Sequence, residues 1–325
     1  MWLLMTTGVY LFILVPLVIY CLGALFCILT RALVEPRTVK CKCTARLDGK
    51  IILVTGGNSG IGFQTAKDLA SRGARVIIAD VNNAEHSVQS IIETTGNKSV
   101  EYRHLDLADF KSVRAFAEDF NKTIDHLDIL VNNAGIISTK NCITRDGVEL
   151  TMQVNYLGPF LLTYLLMDTL AKSFNSRIVI VASGLYYKGE VDLQDLRGLK
   201  TKNYAKRYLN SKLCTFLWTK ALAKKMPQNV CAVCLHPGMV NTNIFGPLNG
   251  PLGNYIKKLC SPFFKSSYEG AQTTIHACIA PNIEKMSGGY ISDCELKPTV
   301  KFKNEKTLIE DLWNTTILFL KQHAV

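Results

Sequence analysis

"KIILVTGGNSGIG", residues 50–62, decides how this chain folds. Ile51 to Val54 is an apolar run without polar alternation, the pattern of a strand covered on both faces. Gly56, Gly60 and Gly62 then break the strand and open a helical period. Strand, glycine-rich turn and helix in that order aim main-chain N–H groups and the positive end of a helix at one point, which suits a phosphate. The three glycines let such a group approach the backbone, and Asn58, Ser59 and Ile61 belong to the same turn.

Outward from that turn the alternation continues. "ARVIIAD" (74–80), "VEYRHLD" (100–106), "LDILVNNAG" (127–135), "SRIVIVAS" (176–183) and "NVCAVCLHPG" (229–238) read as strands, with helical periods over 60–72, 84–95 and 109–122 between the first of them. Apolar strands separated by helices predict an α/β fold, a doubly wound parallel sheet with helices on both faces. No repeat, low-complexity tract or linker follows about residue 50, so residues 48–325 are expected to form a single domain. Ligands of such sheets sit at the carboxyl ends of the strands. The glycine-rich turn, Asp80, Asp106, "NNAG", Ser183 and "HPGMVNT" all fall there, which predicts one site.

Residues 2–30 contain no charged side chain and are long enough to span a bilayer as a helix. A cleaved signal peptide would want a basic start, a shorter apolar core and a small-residue cleavage site, none of which is clear, so an uncleaved transmembrane anchor is the expectation. No Lys or Arg precedes the stretch, while Arg31, Arg37, Lys40, Lys42, Arg46 and Lys50 follow it, in and just beyond a basic linker over 31–47. Basic residues stay on the cytoplasmic side, so the body of the protein is expected to face the cytosol. An endoplasmic reticulum membrane suits such an anchor, with lipid droplets as the other address. Part of the net charge of +11 therefore belongs to the membrane surface, and the rest shows no nucleic-acid recognition signature. Eleven cysteines lie scattered without a spaced framework. Cys231 and Cys234 are three apart on a strand and face opposite ways, as small hydrophobes.

"TGGNSGIG", "LDLAD", "NNAG", "VNYLGPF", "IVIVAS", "YLNSK" and "HPGMVNT" occur in the order of the short-chain dehydrogenase/reductase family, which the chain resembles from residue 48 to about 300. The resemblance implies a Rossmann-type fold and a nicotinamide-dependent oxidoreductase. "YLNSK" then carries the chemistry. An alcohol gives up its hydroxyl proton as hydride leaves carbon, and tyrosine, with a pKa near 10, is a poor base at neutral pH. Lys212, one helical turn from Tyr208, shares its face and is expected to lower that pKa, making Tyr208 the base in oxidation and the acid in reduction. The resemblance further implies that Lys212 holds the nicotinamide ribose, that Ser183 orients the substrate oxygen and that Asn155 supports a water-linked proton path. It places Asp106 and Leu107 at the adenine, Asn132, Asn133, Ala134 and Gly135 beside the adenosine, and Pro237, Gly238 and Thr242 at the carboxamide.

Asp80 lies 18 residues after Gly62, where an acid binds the ribose diol and repels a 2′-phosphate. No base occupies 57–61 or 81–83, so NAD is favoured, with NADP the alternative. The 25-residue separation of Ser183 from Tyr208, the apolar N-terminus and "IEDLWNTTILFL" resemble the branch containing retinol dehydrogenases, and within it the polyprenol dehydrogenase type. That branch implies a lipophilic isoprenoid alcohol, with residues 244–268 as the substrate lobe. A steroid, a fatty aldehyde or a non-catalytic NAD-binding scaffold are the rival readings. A cytosolic body leaves the sequons at Asn97, Asn121 and Asn314 unused. Glycosidase digestion of the protein made in a eukaryotic cell should leave its electrophoretic mobility unchanged; a faster band would reverse the orientation.

Overall fold

The computed structural model describes residues 14–25, 39–240 and 264–323. Six strands run parallel: β1 (Ile51–Thr55), β2 (Arg75–Asp80), β3 (Val100–His104), β4 (Ile129–Asn132), β5 (Ser176–Val181) and β6 (Val230–His236). β7 (Tyr290–Ser292) adds in parallel to β6, and β8 (Glu295–Lys297) closes that edge antiparallel to β7. The order is β3-β2-β1-β4-β5-β6-β7-β8, so the winding reverses between β1 and β4, the switch point where such sheets open a crevice. The first six strands fall where the apolar runs predict them. β7 and β8, "YIS" and "ELK", are too short and too polar to read in advance.

Side chains alternate between two cores. Leu53 of β1 joins one, and Ile52 and Val54 join the other. The first core packs α3 (Phe110–Thr123), α4 (Gly158–Leu165), α5 (Tyr204–Lys225) and α7 (Glu305–Gln322) around Phe120, Tyr156, Phe160 and Trp218. The second packs α1 (Gly60–Ser71), α2 (Glu85–Thr95) and α6 (Ser267–Ile279) through residues such as Leu69, Ile91 and Ile275. Cys234 lies in the first core and Cys231 in the second, as residues three apart on a strand must.

Of the apolar stretch 2–30, only residues 14–25 are described; they are helical and mostly exposed. Among the described residues no helix is long and apolar enough to cross a membrane. Of the basic linker, residues 39–47 lie against the domain: Leu47 is buried in the second core, Cys41 and Cys43 pack on it, and Leu47 N–H donates to Arg72 O at 2.9 Å.

Asp128 ties the bottom of the sheet together. Its carboxylate accepts from the Ile51 N–H at 2.8 Å, Lys50 Nζ at 2.9 Å and Ser173 Oγ at 2.7 Å. Burial pushes its pKa up, but the Ile51 N–H, Ser173 and Lys50 outweigh that and hold it below the ordinary value. A carboxyl with a depressed folded pKa stabilises above its unfolded pKa and loses that contribution as pH falls through the folded one. Asp128→Asn should therefore lower stability to urea by about 2 kcal/mol at pH 7, with the gap to wild type narrowing in acid.

Candidate active site

The cleft is built on the turn between β1 and α1. Gly56 and Gly60 adopt φ of +65° and +57°, where a side chain is strained. A Cβ on Gly62 would run into Gly56 O and Asn133 Nδ2, so α1 starts hard against the end of β4. Asn133 secures that approach by donating from Nδ2 to Thr55 O at 2.8 Å and Gly56 O at 3.1 Å. Ser59, the cap of α1, makes no side-chain capping bond, which leaves the first N–H groups of the helix to a ligand. An anionic diphosphate fits this cradle.

α5 carries the reactive side chains. Asn203 caps it, accepting from Lys206 N–H at 3.1 Å, and the 22 residues that follow contain neither Gly nor Pro. One residue before Tyr208, Arg207 is buried and reaches Glu149 at 3.5 Å and Asn141 Oδ1 at 2.8 Å, which anchors the start of the helix. Tyr208 is half-buried and lines the cleft with Ser183. Lys212 is buried, with Nζ 2.8 Å from Val181 O and 5.8 Å from the centroid of the Tyr208 ring.

The electrostatics differ from the expected lowering of the tyrosine pKa. Burial raises Tyr208 above its ordinary value, and the Ser183 side chain offsets this only in part. Burial brings Lys212 down to about 8. The reason is geometric: the ammonium is drawn to the carbonyl at the end of β5 rather than to the phenol oxygen. Its remaining N–H donors are left for a ligand.

A cleft of about 1140 Å³ runs across the strand ends. It brings together Gly56, Ser59, Gly60, Ile61 and Gly62 with Asp80, Asp106 and Leu107. Asn133, Ala134, Gly135, Ser183, Tyr208, Lys212, Pro237 and Gly238 line it too. Three of the expected residues that are described are not part of that lining. Asn58 turns its side chain to Asn83 O and Ser87 Oγ, leaving only its N–H, 3.2 Å from Asp80, near the site. Asn132 is buried and donates to Thr163 Oγ1 of α4 at 3.0 Å, bracing the sheet because the strand's alternation turns it away from Asn133. Asn155, in a π-helical turn at Gln153–Leu157, spends its amide on the Ile136 N–H at 2.8 Å, Ile136 O at 3.0 Å and Ser211 Oγ at 3.1 Å. Thr242, with most of the 244–268 lobe, lies outside the described residues.

Sequence reading missed most of an apolar wall. Ile137, Leu150, Val154, Leu185 and Tyr187 line the cleft beside Phe264, which belongs to the expected lobe, and Leu185 and Tyr187 come two and four residues after Ser183. Their signal was adjacency to predicted strand ends. The long connection from Ser183 to Tyr208 is a packed strap: Tyr186 is buried and stacks on Phe216 at 4.1 Å, and Glu190 N–H donates to Asn210 Oδ1 at 2.9 Å.

Residues 50–251 match the short chain dehydrogenase family model. Mouse retinol dehydrogenase 12 is 42% identical over 280 residues, covering 85% of this chain and 88% of that protein. Human retinol dehydrogenase 14 is 35% identical over 320 residues, covering 91% and 95%. Among solved structures, a short chain dehydrogenase of Burkholderia cenocepacia in complex with NADP is 27% identical with a TM-score of 0.60, covering 76% of this chain and 97% of that one. The chain belongs to the short-chain dehydrogenase family. It is an NAD(P)-dependent oxidoreductase, and the cradle at α1 fits that cofactor's diphosphate.

Lys212 offers a stability test. A lysine whose folded pKa is depressed to about 8 costs stability in full below pH 8, and that cost fades as pH rises toward the ordinary 10.5. Without cofactor, Lys212→Met should exceed wild type in stability by about 3 kcal/mol at pH 7, and the advantage should shrink between pH 8 and 10.5.

Proposed function

We propose that this protein is a membrane-anchored dehydrogenase that oxidises an apolar, isoprenoid-class alcohol with NAD, reversibly. The observation that carries the reading is that Tyr208, Ser183 and Lys212 line one cleft together with the start of α1. The nicotinamide, when bound, supplies the carbon that accepts or donates hydride. Tyr208 Oη takes the hydroxyl proton of the alcohol during oxidation and returns one to the carbonyl oxygen during reduction. Its raised pKa keeps that proton on the phenol until a cationic group enters the cleft. Ser183 Oγ hydrogen-bonds the substrate oxygen and fixes it against Tyr208. The Lys212 ammonium, held by Val181 O, binds the hydroxyls of the nicotinamide ribose. Asn155 acts on this site by holding Ile136 and Ser211, and Asn132 by holding the sheet.

Asp80 supports NAD. Its carboxylate accepts from the N–H groups of Asn58 at 3.2 Å and Asn82 at 3.0 Å at the edge of the cleft, and the neighbouring Val81 and Asn82 carry no cation for a 2′-phosphate. The apolar wall and the relatedness to retinol dehydrogenases support a lipophilic alcohol. The uncharged stretch 2–30 and its basic flank support an endoplasmic reticulum anchor with a cytosolic body.

Detergent-solubilised protein should reduce NAD with retinol or a longer isoprenoid alcohol. Tyr208→Phe should lose at least a hundredfold in kcat while binding NADH nearly as wild type. Retained turnover in that variant refutes the proton role. A preference for NADP refutes the reading of Asp80, and turnover of a steroid with neither isoprenoid alcohol refutes the substrate class.

A further inference from the structure

Away from the cleft, the segment entering the domain shows its own order. Val39, Cys41 and Cys43 are half-buried, while Lys40, Lys42 and Thr44 are exposed. That period of two puts both thiols on one side of an extended chain. The backbone is pinned around them: Cys41 N–H donates to Gln272 Oε1 at 3.1 Å, and Arg72 Nη1 donates to Cys43 O at 3.0 Å and Ala45 O at 3.1 Å. Both thiols face α6, where Cys43 Sγ stands 3.8 Å from His276 Nδ1. The ligand atoms of Cys41, Cys43 and His276 all lie within 4.8 Å of one another.

We propose that Cys41, Cys43 and His276 form a zinc-class metal site that fastens the segment leading in from the N-terminal apolar stretch to α6. In a tetrahedral zinc site two sulfurs, each about 2.3 Å from the ion, stand about 3.8 Å apart. The observed spacing needs only a small side-chain adjustment to reach that. Two sulfurs and an imidazole are a soft donor set that selects zinc over magnesium or calcium. The fourth position is open to water or to Cys294, whose thiol donates to Gln272 O at 3.5 Å, beside the same residue that binds Cys41 N–H. Each thiol gives up its proton as the ion binds. Simple packing of small hydrophobes accounts for buried cysteines in general, but it calls for no histidine nitrogen at their sulfurs.

The test uses full-length protein, reduced, in detergent, stripped with a chelator and titrated with Co²⁺ without oxygen. One Co²⁺ per chain should bind, with thiolate-to-cobalt charge-transfer absorbance in the near ultraviolet and the intense visible bands of a tetrahedral ion. Zn²⁺ should displace it and raise the thermal midpoint. Cys43→Ser and His276→Gln should each weaken binding at least tenfold, while Cys142→Ser binds as wild type. NADH binding, read by fluorescence, shows that each variant is folded. Absence of the charge-transfer band in wild type overturns the site, as does a band that survives Cys43→Ser and His276→Gln combined.

Discussion

There is no room for a methyl group where α1 leaves β1. A Cβ at Gly62 would occupy space held by Gly56 O and Asn133 Nδ2, and a Cβ at Gly56 would come within 2.9 Å of Ala134 Cα. Main chain therefore packs on main chain across β1, α1 and the end of β4, with Asn133 bonding Thr55 O and Gly56 O to hold the contact. The position of the α1 N-terminus, and so of any phosphate bound there, follows from that contact. Everything else in the cleft is placed relative to it.

At the other end the chemistry depends on burial balanced by a few polar contacts. Lys212 is taken out of water and receives Val181 O in exchange, and the burial of Tyr208 is offset only in part by the Ser183 side chain. Both groups are thereby shifted toward their neutral forms. Such an arrangement is poised to respond when charge enters the cleft, because each ionised form is favoured by an opposite charge in a site of low dielectric. Arg207, paired with Glu149, and the stacked Tyr186 stiffen the strap and helix that present these groups.

The cleft has an apolar side beside Ser183, and the half-buried Cys41–Cys43 segment packs on α6, whose first residue, Ser267, also lines the cleft.

The sequence by itself determined the first six strands of the sheet, the glycine-rich turn and the residues at the strand ends. These are local patterns: apolar runs force buried strands, glycines permit left-handed turns, and a strand's carboxyl end must face the crevice. Tertiary structure decided which neighbours of those motifs face inward. Asn132 and Asn133 are adjacent, yet one braces α4 and the other locks the turn, because strand alternation turns each to a different face. Asn155 uses its amide to hold Ile136 and Ser211, contacts that its own stretch of sequence does not announce. Cys41 and His276 are 235 residues apart, and only the packing of α6 against the entering segment makes them neighbours. Period and spacing report what a residue's own element does with it; contacts between distant elements depend on how the layers stack, which no local pattern records.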